Sequence, residues 1–304
     1  MAKDIYWHLP GFVYLRSVNL SLIELMREYH NCFVDGYKIG SCYGTFPGAI
    51  WNGGRTILGF CSKNDVEKTL KEYNSKNVPI RFTWTNPLIG EEEIHDTFCN
   101  LIMRLADNGM NQVLVNSPIL EAYLREKYPG YKFISSTTKR IVDPTKLKEE
   151  MDKDYFMVVL DYDLNHDEEV LKGLEPVAER VEILVDEICF PHCPKRLEHY
   201  RDEGQKQIDF EVAPPFPCPN RDKKKSFKDC MDRPAFISRE QLQSYIDRGF
   251  ENFKLVGRGL PPNIAIESYI YYLVKEDSQD FIRKQMEKKL QEIQLKNSSR
   301  QVRR

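Results

Sequence analysis

Eight short β-rich runs, each followed by an amphipathic helical stretch, set the pattern of this 304-residue chain. The runs fall at residues 5–9, 38–42, 79–84, 112–115, 132–135, 155–160, 182–185 and 252–256. Helical periodicity follows at 21–30, 65–74, 91–107, 118–127, 144–152, 167–173, 239–248 and 263–274. Helix-start signals support several of these: Asn64 before Asp65, Ser117 before Pro118, Asp143 before Pro144, and Ser238 with Gln241 three residues on. Val158-Val159-Leu160 and Ile183-Leu184-Val185 are continuous apolar runs, as expected of strands buried on both faces. A doubly wound open sheet fits the alternation as well as a barrel does. The count of eight favours an α/β fold of the (β/α)8 TIM-like barrel type, with a C-terminal helix.

One segment breaks the rhythm. Between the seventh strand and its helix lies a Cys-rich insertion, residues 189–235, read as a long loop. Loops of that length inside a domain are usually functional or disordered. The expected organisation is a barrel over 1–276 that includes this insertion, followed by a charged helix or tail over 277–304. The tail carries an apolar stripe of Ile282, Met286, Leu290 and Ile293, and from Glu276 onward it has eight basic and five acidic residues. It reads as a helix packed on the barrel, or as a partner or nucleic-acid contact.

Charge gives no global argument for nucleic acid or membrane, because 44 Lys and Arg face 46 Asp and Glu. No apolar run approaches the roughly 18–20 residues that span a bilayer. The start, Met1-Ala2-Lys3-Asp4-Ile5, lacks the features of a secretory signal. A cytoplasmic, reducing location is therefore expected, where the eight cysteines serve metal or chemistry rather than disulfides.

Four cysteines lie in the insertion, as Cys189-x3-Cys193, then Cys218 and Cys230. Pro191 lies two residues after Cys189, Pro194 follows Cys193, and Pro217 and Pro219 flank Cys218, stiffening the backbone around the thiols. Four thiolates can saturate a 4Fe–4S cluster or a tetrahedral zinc. Only the first pair is tightly spaced, which suits a cluster better than a zinc ribbon; zinc, or four unrelated cysteines, are the alternatives. Cys32, Cys42, Cys61 and Cys99 read as small core residues. His192 and His199 flank the quartet as substitute ligands or as supporting or surface residues.

Polar residues recur at the C-terminal strand ends, where barrel enzymes assemble their sites: Tyr43, Thr85, Asn86, Asn116, Ser117, Ser136, Thr137, Asp161, Asp163, Asp186, Glu187 and Arg258. Asp161, Asp186 and Glu187 are candidate acid/base groups, and Arg258 a candidate clamp for carboxylate or phosphate. Two glycine-rich stretches, residues 44–55 and 256–262, read as rim turns or as backbone approaching an anion. The run Arg221-Asp222-Lys223-Lys224-Lys225 reads as a solvated loop or as a guide for RNA.

The stretch Val181-Glu182-Ile183-Leu184-Val185-Asp186-Glu187-Ile188-Cys189, the later Cys218 and Cys230, and Phe253-Lys254-Leu255-Val256-Gly257-Arg258 resemble the collagenase-like peptidases, the unknown-mechanism peptidase family thirty-two. The resemblance spans about residues 5–274 in architecture, and its specific part is confined to 181–258. It departs where the family has His-Gly and this chain has Asp186-Glu187, and where Cys189 and Cys193 stand closer together than the family's first pair. The resemblance implies a TIM barrel, a 4Fe–4S cluster on the quartet, and oxygen-independent hydroxylation of an RNA base or a small aromatic metabolite with an electron-donor protein. The alternatives are a non-catalytic, metal-stapled module binding RNA or protein, and a peptidase.

Overall fold

The computed structural model describes residues 3–212, 214–218, 226–257 and 260–301. Arg258, Gly259 and the basic run 221–225 lie outside these residues. Eight parallel strands close into a barrel in chain order, confirming the (β/α)8 reading: β1 Ile5–Pro10, β2 Tyr37–Gly44, β3 Ile80–Trp84, β4 Gln112–Val115, β5 Lys132–Ser135, β6 Met157–Val159, β7 Val181–Leu184 and β8 Asn252–Lys254. The ring closes where Tyr6, Trp7 and His8 pair with Asn252, Phe253 and Lys254. The main helices are α1 Arg16–Glu28, α2 Lys63–Asn74, α3 Thr97–Ala106, α4 Pro118–Lys127, α5 Pro144–Met151, α6 Glu168–Leu174, α7 Arg196–Asp209, α8 Phe227–Met231, α9 Arg239–Asp247, α10 Pro262–Leu273 and α11 Gln279–Gln301.

Ser117, Asp143 and Ser238 cap α4, α5 and α9 as their sequences predict. The start of α2 differs: Ser62, not Asn64, is its cap, in a reciprocal capping box with Asp65. The stretch read as one helix over 91–107 is a short 3-10 turn and then α3, because Asp96 caps a fresh start by accepting from the Cys99 amide. Ile282 and Met286 of α11 are fully buried, and the helix packs on α1 and α10. No helix among the described residues is long and apolar enough to cross a membrane.

The strands alternate between two unlike environments. Outward residues such as Trp7, Phe82, Trp84, Val113, Val158, Ile183 and Phe253 join the helices in the main core. Each such buried side chain contributes roughly 1.5–3 kcal/mol. Inward residues from β4 to β7, Leu114, Ile134, Met157, Val159 and Leu184, form a small separate apolar cluster in the lumen. The other half of the lumen is ionic. Arg81 pairs with Glu182 Oε2, Lys254 Nζ lies 2.9 Å from Glu182 Oε1, and His8 Nε2 lies 3.5 Å from Glu182 Oε2. His8 Nδ1 also meets Ser41 Oγ at 2.8 Å.

Burial and the neighbouring Arg81 push the imidazole of His8 down to about 3, so it is neutral at physiological pH. For Glu182, burial acts to raise the carboxyl, but the charges of Arg81 and Lys254 outweigh it and hold it below the ordinary range. Its contribution to stability is present above the unfolded value of about 4.3 and fades as pH falls below that. Glu182→Gln is expected to cost about 3–5 kcal/mol at neutral pH, by leaving two buried cations without their carboxylate. Urea unfolding at a series of pH values checks this: the gap between wild type and variant narrows below about pH 4.

Candidate functional site

A cavity of about 330 Å³ opens at the C-terminal mouth of the barrel. Its floor is the lumen's upper end, with Tyr43, Thr83, Leu114, Leu184 and Lys254 among the lining residues. Its wall is the insertion, which is not the structureless loop expected from the sequence. Residues 196–209 form α7, laid against the loop that follows β2. That helix is illegible as periodicity because its buried face is polar: Arg196, Gly204, Lys206 and Gln207.

Hydrogen bonds dock it together with a few apolar contacts, Ile208 on the core and Phe210 on Phe60. The Thr56 amide donates to Glu203 Oε2 at 2.6 Å, and the Ile57 amide donates to Gln207 Oε1 at 2.6 Å. Asn86 Nδ2 donates to the Gly204 carbonyl at 3.0 Å. Glycine is required there, since a Cβ on Gly204 would lie 2.4 Å from Asn86 Oδ1. A Cβ on Gly53 would sit 2.2 Å from the Thr85 carbonyl, so the glycine-rich stretch after β2 serves close backbone packing at this point.

Arg196 is the anchor. Its Nη2 lies 2.8 Å from both oxygens of Asp161 and 3.1 Å from Asp163 Oδ2, while its guanidinium stacks 4.2 Å from the Tyr162 ring centre. All three charged side chains are almost fully buried. Asp163 also accepts from the amide of His192 at 2.8 Å, which turns the chain between Cys189 and Cys193 through a left-handed residue, φ 56° at His192.

Three of the four predicted thiols, Cys189, Cys193 and Cys218, line the cavity together with Glu187, Arg55, Tyr162, His199 and Tyr200. The fourth, Cys230, lies in α8, packed into the main core, its Sγ 3.9 Å from the Ser226 carbonyl. Among the described residues no group of three His, Cys, Asp or Glu side chains stands close enough to hold a metal ion. The thiols therefore suit a metal in kind, and three share a cavity, but they form no coordination shell as arranged here.

Glu187 accepts from the Cys189 amide at 2.8 Å. Burial, reinforced by the charge of Glu187, raises the Cys189 thiol above its ordinary value, although a bond with Tyr162 opposes the shift. Burial likewise raises the Cys230 thiol. Without a cation these thiols stay protonated at neutral pH, and a bound metal would reverse that.

Asp161 and Asp186 are not among the lining residues. Asp161 is committed to Arg196. Asp186 sits beneath the rim, accepting from Ser268 Oγ at 2.6 Å and from the Val256 amide at 2.7 Å. Burial pushes its carboxyl up to about 7, against those two bonds. Arg258 lies outside the described residues. Residues that sequence reasoning passed over are Arg196, Tyr162, Tyr200, Glu203 and Lys254, whereas Arg55 belongs to the glycine-rich stretch read as rim turns or as backbone approaching an anion. His199, expected as a surface or supporting group, lines the cavity, stacked on Phe216 at 4.7 Å and 3.4 Å from Glu203.

No protein-family model matches the chain, and no curated protein does. Among solved structures the chain resembles the U32 peptidase Mk0906, with a TM-score of 0.53 and 15% identity, over 86% of this chain and 95% of that one. The barrel is shared. At that identity the likeness concerns architecture alone, and it agrees with the TIM barrel expected from the sequence.

Two outcomes follow from this geometry. Arg196→Met strands two buried carboxylates, so about 3–5 kcal/mol of stability is lost. Limited proteolysis within 186–238 is expected to accelerate in the variant; an unchanged cleavage rate and unfolding midpoint would contradict the anchoring role. For Asp186, a folded-state value above the unfolded one of about 3.9 means stability is greatest at low pH and declines as pH rises from about 4 to about 7. Asp186→Asn flattens that decline, read by thermal unfolding across the same window.

Proposed function

We propose that the chain is an enzyme working at its barrel mouth, with Cys189, Cys193, Cys218 and Cys230 as ligands of a metal centre, a 4Fe–4S cluster before zinc. The observation that carries this reading is the common cavity: three thiols of one insertion open beside an acid, Glu187, and two basic side chains, Arg55 and His199. When bound, such a cluster supplies one-electron redox chemistry. Closing a shell requires Cys230 to leave its contact with the Ser226 carbonyl.

The protein's own contribution is binding and orientation. Tyr162, Tyr200, Phe216 and His199 give the cavity aromatic walls suited to a flat ring, and two acidic groups line it, Glu187 and Glu203, of which Glu203 is engaged by Thr56 and His199. This favours a planar aromatic substrate, a small metabolite or an RNA base, in a hydroxylation-type reaction with an electron donor and oxygen source from outside the chain. The peptidase reading has the shared fold with Mk0906 in its favour. Against it, a thiol raised by burial is a poor nucleophile.

Anaerobic purification with iron, acid-labile sulfide and zinc quantification tests the proposal. About four iron and four sulfide per chain, with a broad visible band, are expected. Cys189→Ala or Cys193→Ala should lose most of the metal. Stoichiometric zinc selects the alternative metal, and a colourless, metal-free chain that hydrolyses peptides overturns the reading.

A further inference from the structure

The floor of the mouth cavity carries two kinds of group that the proposed reaction leaves unexplained. The first is Lys254. It is only 4% exposed, its Nζ lies 2.9 Å from Glu182 Oε1 and 4.3 Å from the centre of the Tyr43 ring, and it lines the cavity from below. Glu182 has one negative charge to set against two cations, Arg81 and Lys254, and the neutral His8 adds no other. The ammonium is thus shared with a carboxylate already engaged elsewhere, at the point where the lumen meets the cavity.

The second is a pair of threonine hydroxyls. Thr85 is 1% exposed and its Oγ1 has no hydrogen-bond partner; Thr137 Oγ1 is likewise buried and unpartnered. Both residues line this cavity, one at the end of β3 and the other after β5. Thr83, two residues before Thr85, shows the ordinary arrangement, with Oγ1 2.7 Å from Asn52 Oδ1 and 3.0 Å from the Gly44 carbonyl. A buried hydroxyl without a partner is unfavourable, and such groups are rare unless a ligand or water completes them.

We propose that the cavity floor is an oxyanion site, in which a carboxylate or phosphate of the bound molecule lies over Lys254 and accepts hydrogen bonds from Thr85 and Thr137. This rests on the reading of the mouth as the working site, and it narrows the substrate to one that is both planar and anionic. It does not depend on the metal. An ammonium combined with hydroxyl donors is a standard chemistry for either anion, and the charge-assisted bond to Lys254 supplies the larger share of affinity.

The test is isothermal titration of the full-length chain at low ionic strength with two probes, inorganic phosphate and benzoate, and chloride as the control. One or both probes should bind, and whichever binds tighter identifies the source of the oxyanion. Lys254→Met should weaken that binding by at least about tenfold. Because that change also disturbs Glu182, Thr85→Val is the decisive variant. It removes a hydroxyl that has no partner, so the fold is retained or slightly stabilised, while binding weakens by about three- to tenfold.

Failure of both probes to bind at up to about 10 mM, or equal binding by wild type and Thr85→Val, overturns the site. Iron content recorded on the same samples separates the two readings. Anion binding without iron sinks only the metal, and iron without anion binding sinks only this site.

Discussion

The interaction on which the rest of the molecule depends is the carboxylate of Glu182, buried inside the barrel between Arg81, Lys254 and His8. A barrel lumen is ordinarily filled by layers of branched apolar side chains. Here only the arc from β4 to β7 follows that rule. Burying charge is tolerable only when partners are fixed in good geometry, and the closed sheet supplies that rigidity. The three strands β3, β7 and β8 each contribute one charged residue to the same centre. In return, the network holds Lys254 at the top of the lumen, where it becomes part of the cavity floor. Fold and site are therefore not separable at this point.

Much of the architecture is legible in sequence because it rests on local chemistry. Ser117, Asp143 and Ser238 announce their helices through caps that operate at short range, and the run Ile183-Leu184-Val185 reads as a strand because both its faces meet apolar surroundings. The helix α7 is a different matter. Periodicity detects apolar faces, and this helix docks through Arg196, Gly204 and Gln207, whose partners Asp161, Asn86 and Ile57 lie far away in the chain. The lumen residues did leave a signal. Arg81 between Ile80 and Phe82, Glu182 between Val181 and Ile183, and Lys254 between Phe253 and Leu255 are charges placed at alternate positions of apolar strands. Such a pattern in a fully buried sheet marks an ionic lumen.

The cysteines divide in the same way. Their crowding and neighbouring prolines single them out in sequence, and three of them do share a cavity. Cys230 instead lies in a helix whose start is set by the Ser226–Asp229 capping box and whose sulfur faces the core. Spacing along a chain identifies which donors are available, whereas convergence depends on the fold of the segments between them. The raised thiols of Cys189 and Cys230 are what protonated sulfur requires in such surroundings. A cation placed among them would change both their charge and the balance of forces on α8, because it would compete directly with burial.

Polar docking of α7 bears on how such a site operates. An apolar lid is held by the exclusion of water and resists partial opening. A lid held by Glu203 on Thr56, Gln207 on Ile57 and Asn86 on Gly204 loses its bonds to protein but regains them to water, so opening it is less unfavourable. Arg196 is the exception, since its two carboxylates are buried and cannot be left unpaired. The N-terminal end of α7 is thus held by buried charge, while its later turns are held by neutral hydrogen bonds and by Ile208 against the core. The thiols of Cys189 and Cys193 lie on the side of Arg196, and Cys218 lies beyond the far end of the helix. A bound ligand, by satisfying Thr85 and Lys254 below, would therefore meet a wall held most strongly on the side of Cys189.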